Sequence, residues 1–256
     1  MLVGTMTQTS SSLAEIDNPM RRMIRTVGAC LACGVVLLAG WPVRAEQNDA
    51  GGWITAAATG SFEKLTDSKR FLWWLDVQLR LFDDLDGYGQ SLVRPGLGYD
   101  LGKGFSTWLG YAYVDTNPRS RSNIEEHRIW QQLLWAGPVG DLGLQSRTRL
   151  EERTVDGDGE TGWRLRQLFR GSYALPFAPR FGLVSYEEFF FDLNDTDWGA
   201  DRGFSQNRFL VGLSAKLNDK GSVIAELGYL NQYIRRDGAR DSVNHLVALN
   251  LMFNLR

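Results

Sequence analysis

The densest run of chemistry-bearing side chains lies between residues 142 and 173. Arg147, Arg149 and Arg153 are interleaved with Glu151, and Arg164, Arg166 and Arg170 repeat the spacing after a Gly/Asp-rich break. Guanidinium groups two residues apart on a strand point into the same space. There they either pair with carboxylates, which their planar fork suits, or line a path that favours anions. A second candidate is Asp156-Gly157-Asp158-Gly159-Glu160, with carboxylates at alternate positions, and Asp192, Asn194, Asp195, Asp197 and Asp201 gather in another polar stretch. Calcium takes several oxygen ligands from a flexible loop. Here, however, Asp and Gly are ordinary turn residues, and the glutamate spacing of a helical calcium-binding hand is missing, so Asp156, Asp158 and Glu160 are weak candidates and no metal or other cofactor is expected. The third candidate is His127, one of two histidines in the chain, with Ser122, Glu125 and Glu126 near it. A Ser–His pair with an orienting acid is the nucleophilic pattern of hydrolases. Adjacent strand residues face opposite ways, so Glu126 cannot orient His127 directly. Nor does His245 suit catalysis, because its parity places it on the lipid-facing side.

The elements that would position these groups are strands. Leu142, Leu144, Ser146, Thr148 and Leu150 share one parity, and Gln145, Arg147, Arg149, Glu151 and Arg153 the other. Further along, Trp163, Leu165, Gln167, Phe169, Gly171 and Tyr173 oppose Arg164, Arg166, Arg170 and Ser172. A period of two with one charged face, sustained beyond the 5–6 residues of an average soluble strand, fits a transmembrane β-barrel with a polar lumen. Ten long strands can be marked out, beginning near residues 71, 91, 105, 126, 142, 163, 181, 204, 223 and 243. Facing is clear in most but ambiguous for 105–115, 126–136 and 181–192. The connections alternate between tight turns (100–104, 137–141, 176–180, 218–221) and longer polar loops, the asymmetry of bacterial barrels with short periplasmic turns. Even strand numbers place both chain ends in the periplasm, which favours ten. The segment 53–62 is also strand-like and leaves three options: part of a twelve-stranded wall, a lumenal insert or a periplasmic extension.

On these facings the inward bases are Arg80, Arg94, Arg128, Arg147, Arg149, Arg153, Arg164, Arg166, Arg170, Arg208 and Lys216. The inward acids are Asp76, Glu126, Glu151, Glu188, Asp192 and Glu226. Trp73, Tyr99, Trp135, Trp163, Tyr173, Tyr229 and Phe253 read as interfacial girdles.

The front of the chain points to export. Arg21, Arg22 and Arg25 precede an apolar run from Val27 to Trp41, and Val43-Arg44-Ala45 supplies small residues before a cleavage point. The expected organisation is a misassigned leader at 1–19, a signal peptide at 20–45, an N-terminal segment at 46–70 with room for one extra strand, and the barrel at 71–256. Residues 46–256 hold no cysteine, which excludes disulfide and thiol chemistry there. They carry 24 basic and 28 acidic residues, a balance that does not suit nucleic acid.

Several stretches together resemble a known family. They are Leu92-Val93-Arg94-Pro95-Gly96-Leu97-Gly98-Tyr99, Trp108-Leu109-Gly110-Tyr111-Ala112-Tyr113, Glu126-His127-Arg128-Ile129-Trp130-Gln131-Gln132, Gly162-Trp163-Arg164-Leu165-Arg166 and Asn194-Asp195-Thr196-Asp197-Trp198-Gly199. The family is a set of uncharacterised proteobacterial proteins catalogued as a domain of unknown function and predicted to be outer-membrane barrels. The resemblance runs from about Trp53 to the C-terminus and implies the fold and location, but no activity. One departure is the end of the chain: outer-membrane barrels usually finish on an aromatic residue, whereas Phe253 sits three from the end and Arg256 is last.

The expectation is therefore an all-β antiparallel barrel of ten strands, or twelve, in the outer membrane of a Gram-negative bacterium. Its lumen would be either filled by paired charges or a narrow anion-preferring pore. A lipid- or envelope-modifying enzyme at His127 is the alternative from a different class. Expected partners are outer-membrane lipid, lipopolysaccharide and the barrel-assembly machinery, with no nucleic acid. A monomer is expected because closure leaves no free edge.

Overall fold

The computed structural model of the protein describes residues 45–82, 87–117, 123–236 and 240–255. The signal-peptide segment before residue 45, both cysteines and Ser122 lie outside the described residues. Among the described residues there are eleven strands: β1 (Ala45–Ser61), β2 (Phe71–Phe82), β3 (Gly87–Gly102), β4 (Phe105–Thr116), β5 (Ile124–Val139), β6 (Leu142–Val155), β7 (Thr161–Leu175), β8 (Ala178–Asp192), β9 (Gly203–Lys216), β10 (Val223–Ile234) and β11 (Asp241–Leu255). One short helix, α1 (Glu63–Thr66), connects β1 to β2. The strands run from 12 to 17 residues, enough for the roughly 9–11 residues of a tilted membrane crossing. No described helix is long and apolar enough to cross a membrane.

Each strand pairs antiparallel with the next, and the sheet closes through a parallel pair, β1 with β11. The register of that pair runs from Ala45↔Asp241 to Gly60↔Leu255. The wall therefore has eleven strands, where alternation favours ten or twelve. When every strand pairs with its sequence neighbour, directions alternate, and an odd count leaves the first and last strands parallel. β1 starts at the long-loop end, so the even-numbered arrangement with both chain ends on one side does not hold. The segment 53–62 forms most of β1. Its outer face is Ile54 among alanines and glycines, which mutes the alternation that marks the other strands.

The outer surface is apolar: Val77, Leu97, Leu109, Ile129, Leu133, Leu213, Leu227 and Val247 are all exposed. The inner surface is packed. One cluster joins Trp53, Val184, Leu210, Leu230, Leu246 and Ala248. A second joins Leu72, Trp108, Ala112 and Trp130, with Trp74 and Leu134 against it. The three strands of ambiguous parity are thereby assigned. Trp108 and Ala112 turn inward from β4, Arg128 and Trp130 from β5, and Glu188 and Phe190 from β8. Glycine makes room for a buried ring where β3, β4 and β5 meet. Gly96 and Gly110 are register partners on β3 and β4, and the Trp130 ring lies against both, so that a Cβ on Gly96 would stand 2.6 Å from it.

Candidate functional site in the barrel lumen

The lumenal charges form a network that begins with near-neighbour pairs on single strands and ends by spanning the barrel. Positions two apart share a face, so Arg128 on β5 donates to Glu126 at 2.8 and 2.7 Å. On the next strand Arg153 reaches the same carboxylate at 2.5 Å. Asp76 on β2 accepts from Arg94 on β3 at 2.8 Å and from Trp74 at 2.8 Å. Glu151, 1% exposed, accepts from Arg164 at 2.7 Å and Arg166 at 2.5 Å. Glu188 on β8 accepts from Arg147 at 2.6 Å and Arg166 at 2.7 Å, and Arg208 lies 3.8 Å from its other oxygen. The longest link joins Arg170 on β7 to Glu226 on β10.

Rings hold the remaining guanidinium groups. Trp53 lies between two of them, with Arg80 at 3.7 Å and Arg208 at 4.7 Å from its centroid. Phe190 receives Arg208 at 4.5 Å and Arg166 at 4.6 Å. Arg149, fully buried, sits 4.4 Å from Trp130 and donates to Gln132 at 2.9 and 2.6 Å. An aromatic face offers each of these cations an attractive partner. Parity could not find Trp53, because it stands on the strand with the weakest alternation. Phe190 lay in a strand of ambiguous facing.

Arg80 differs from its neighbours. Among the described residues no carboxylate pairs with it. Its acceptors are the side-chain oxygens of Gln78, at 2.8 Å, and Gln90, and its Nε is buried without a partner. In all, ten described guanidinium groups (Arg80, Arg94, Arg128, Arg147, Arg149, Arg153, Arg164, Arg166, Arg170 and Arg208) face six lumenal carboxylates (Asp76, Glu126, Glu151, Glu188, Asp192 and Glu226). Lys216, expected among the inward bases, is instead exposed at the tight-turn end, where its carbonyl accepts from Arg180 at 3.2 Å.

Two chambers flank this network. The larger, about 470 Å³, opens at the long-loop end, and the smaller, about 210 Å³, lies toward the tight-turn end. Gln78, Arg94, Arg166 and Arg208 border both, so the chambers adjoin across these side chains. The 193–202 loop overhangs the larger chamber. Trp198 donates to the Glu160 carbonyl at 3.1 Å and its ring stands 4.9 Å from Arg153.

The other candidates are dispersed. Asp156 approaches Nε2 of His127 at 3.1 Å, Asp158 accepts from the Glu160 backbone at 3.1 Å, and Glu160 accepts from the Asp197 backbone at 2.7 Å. The three carboxylates thus serve separate partners, and no group of three or more His, Cys, Asp or Glu converges among the described residues. His127 lies on the outer face of β5, its Nδ1 2.5 Å from the Tyr111 hydroxyl. His245 repeats the arrangement with Tyr229 at 2.6 Å. Glu126 turns inward to Arg128 and Arg153, and Glu125 accepts from Tyr113 at 2.7 Å, so neither acid serves His127.

A closed, membrane-length barrel with an apolar exterior and a charge-packed interior defines a β-barrel of the outer-membrane type. The chain belongs to the family described as "Protein of unknown function (DUF2490)", whose model matches residues 50–244. It is 32% identical over 235 residues to an uncharacterized protein of Methylorubrum extorquens, covering 90% of this chain and 98% of that one. Among solved structures it is similar to the outer-membrane expressed OmpT of Vibrio cholerae. That likeness has 14% identity and a TM-score of 0.36, and covers 68% of this chain and 58% of that chain's length.

Proposed function

We propose that the protein resides in the outer membrane of a Gram-negative envelope as a barrel sealed at its waist by its own charge network. The observation that carries this reading is the set of links across the lumen, in which Arg147, Arg166 and Arg208 converge on Glu188 while Arg170 reaches Glu226. Small barrels are commonly filled by side chains, and buried charges persist where they are paired. The exposed leucine and valine exterior supports residence in lipid. The structural role and the membrane are parts of one reading, since lipid gives the outer face its solvent while the paired charges fill the inside.

Conductance tests the seal. The refolded barrel, residues 46–256, is expected to insert into a planar bilayer and pass no steady current, and Glu188→Ala is expected to open a leak that favours anions. Steady anion-selective current through the unaltered protein would replace the seal with the second reading, a narrow anion-preferring pore. That reading is favoured by the residues that border both chambers, three of which, Arg94, Arg166 and Arg208, are arginines. The enzyme alternative receives less support, because His127 and His245 form matching pairs with tyrosines on the outer face, as interfacial anchors would.

A further inference from the structure

We propose that the chamber at the long-loop end binds a small polyanion bearing two or more phosphate groups. The first observation is the charge imbalance: among the described residues, ten buried or nearly buried guanidinium groups meet six carboxylates. Uncompensated charge shielded from water is costly, and a bound anion would neutralise the excess. The second is where the imbalance falls. Arg80, Arg128, Arg153, Arg164 and Arg208 reach the chamber from five different strands, and among the described residues Glu126 is the one carboxylate in its lining. Glu126 is already shared by Arg128 and Arg153. Arg80 has no described carboxylate partner and keeps a buried, unpartnered Nε. The third is the rest of the lining, in which Gln78, Gln90, Gln206 and Gln232 bring neutral amides and no further negative charge.

Size and shape select the ligand. A volume of about 470 Å³ lies within the roughly 300–1,000 Å³ range of small-molecule sites, far more than a halide fills. Guanidinium forks match the oxygens of phosphate in pairs. Several forks converging from the wall favour a ligand with several such groups over a single one. The chamber lies beside Trp198 and Gly199 of the 193–202 loop, so a ligand enters from the loop side. This inference rests on the sealed reading only for the floor of the chamber, since an open waist would leave the same arginines in place.

Inorganic pyrophosphate is the probe, titrated calorimetrically against the refolded barrel in vesicles of neutral phospholipid, with orthophosphate and sucrose as controls. Pyrophosphate is expected to bind more tightly than orthophosphate, sucrose not at all, and added salt should weaken binding. Arg80→Gln is expected to weaken pyrophosphate about tenfold or more, the loss of charge-assisted bonds, with Arg208→Gln as a second variant. Arg180→Gln, exposed at the opposite end, should leave it unchanged. Each variant is first checked for a folded, heat-modifiable band. Competition by lipopolysaccharide would identify the phosphorylated headgroup as a source of the same chemistry, whereas its absence would point to a soluble solute. Wild-type protein that ignores pyrophosphate, or equal binding by folded Arg80→Gln, Arg208→Gln and wild type, would overturn the proposal. Conductance on the same vesicles keeps the two readings apart: binding with current retires the seal alone, and silence without binding retires the polyanion site alone.

Discussion

Glu188 shows how one carboxylate organises several cations. It is 3% exposed and accepts from Arg147 and Arg166, with Arg208 near its second oxygen. Taking it away leaves buried guanidinium groups without compensation, a loss of about 3–5 kcal/mol for a buried pair. Glu188→Gln is therefore expected to lower the unfolding free energy of the barrel by that amount, measured by urea titration from lipid vesicles. An unchanged midpoint would mean that water, rather than Glu188, solvates these arginines. Arg149 is held differently, by Trp130 and Gln132, so its environment depends on a tryptophan that itself depends on glycines one and two strands away.

That dependence belongs to the elements. β3 and β4 present Gly96 and Gly110 at the same level, and the flat space between them holds the Trp130 ring from β5. Gly110→Ala would drive a methyl group into that ring, and overpacking of this kind costs about 1–3 kcal/mol. A lowered unfolding midpoint with an intact barrel is the expected result, and no change would show that β5 can shift without loss. The outer faces of β8 and β9 hold a second consequence. Glu187 stands on the lipid-facing parity beside Asn207, 6% exposed, with one carboxylate oxygen unpartnered. Replacing both partners by apolar groups tends to be neutral or stabilising. Glu187→Leu with Asn207→Leu is thus expected to hold or raise the unfolding midpoint in vesicles. A clear loss would mean that a polar partner, rather than lipid, meets this face.

For the whole molecule, closure is the decisive feature. β1 lies between β2 and β11, parallel to the latter, with Ala56 opposite Leu251. Because residues 46–256 hold no cysteine, Ala56→Cys with Leu251→Cys gives a clean probe of that seam. Oxidation is expected to link the pair within one chain and shift its mobility on a non-reducing gel. A wall of ten strands closed by β2 against β11 would leave the two thiols free. Closure also leaves no unpaired edge among the described strands.

Alternation made the barrel and most of its lumen legible without coordinates, because a strand with solvent on one face and lipid on the other must write that difference into every second residue. Arg147, Arg149, Arg164 and Arg166 were readable as inward for that reason. β1 was not, since alanine and glycine suit either side, and so the strand number and the parallel closure emerged only when the wall was complete. Which carboxylate serves which arginine was equally hidden. Arg170 and Glu226 are 56 positions apart, and only the curvature of the closed sheet brings them within reach. Parity states the face a side chain takes, whereas its partners depend on how far the sheet turns before it closes, a property of all eleven strands together.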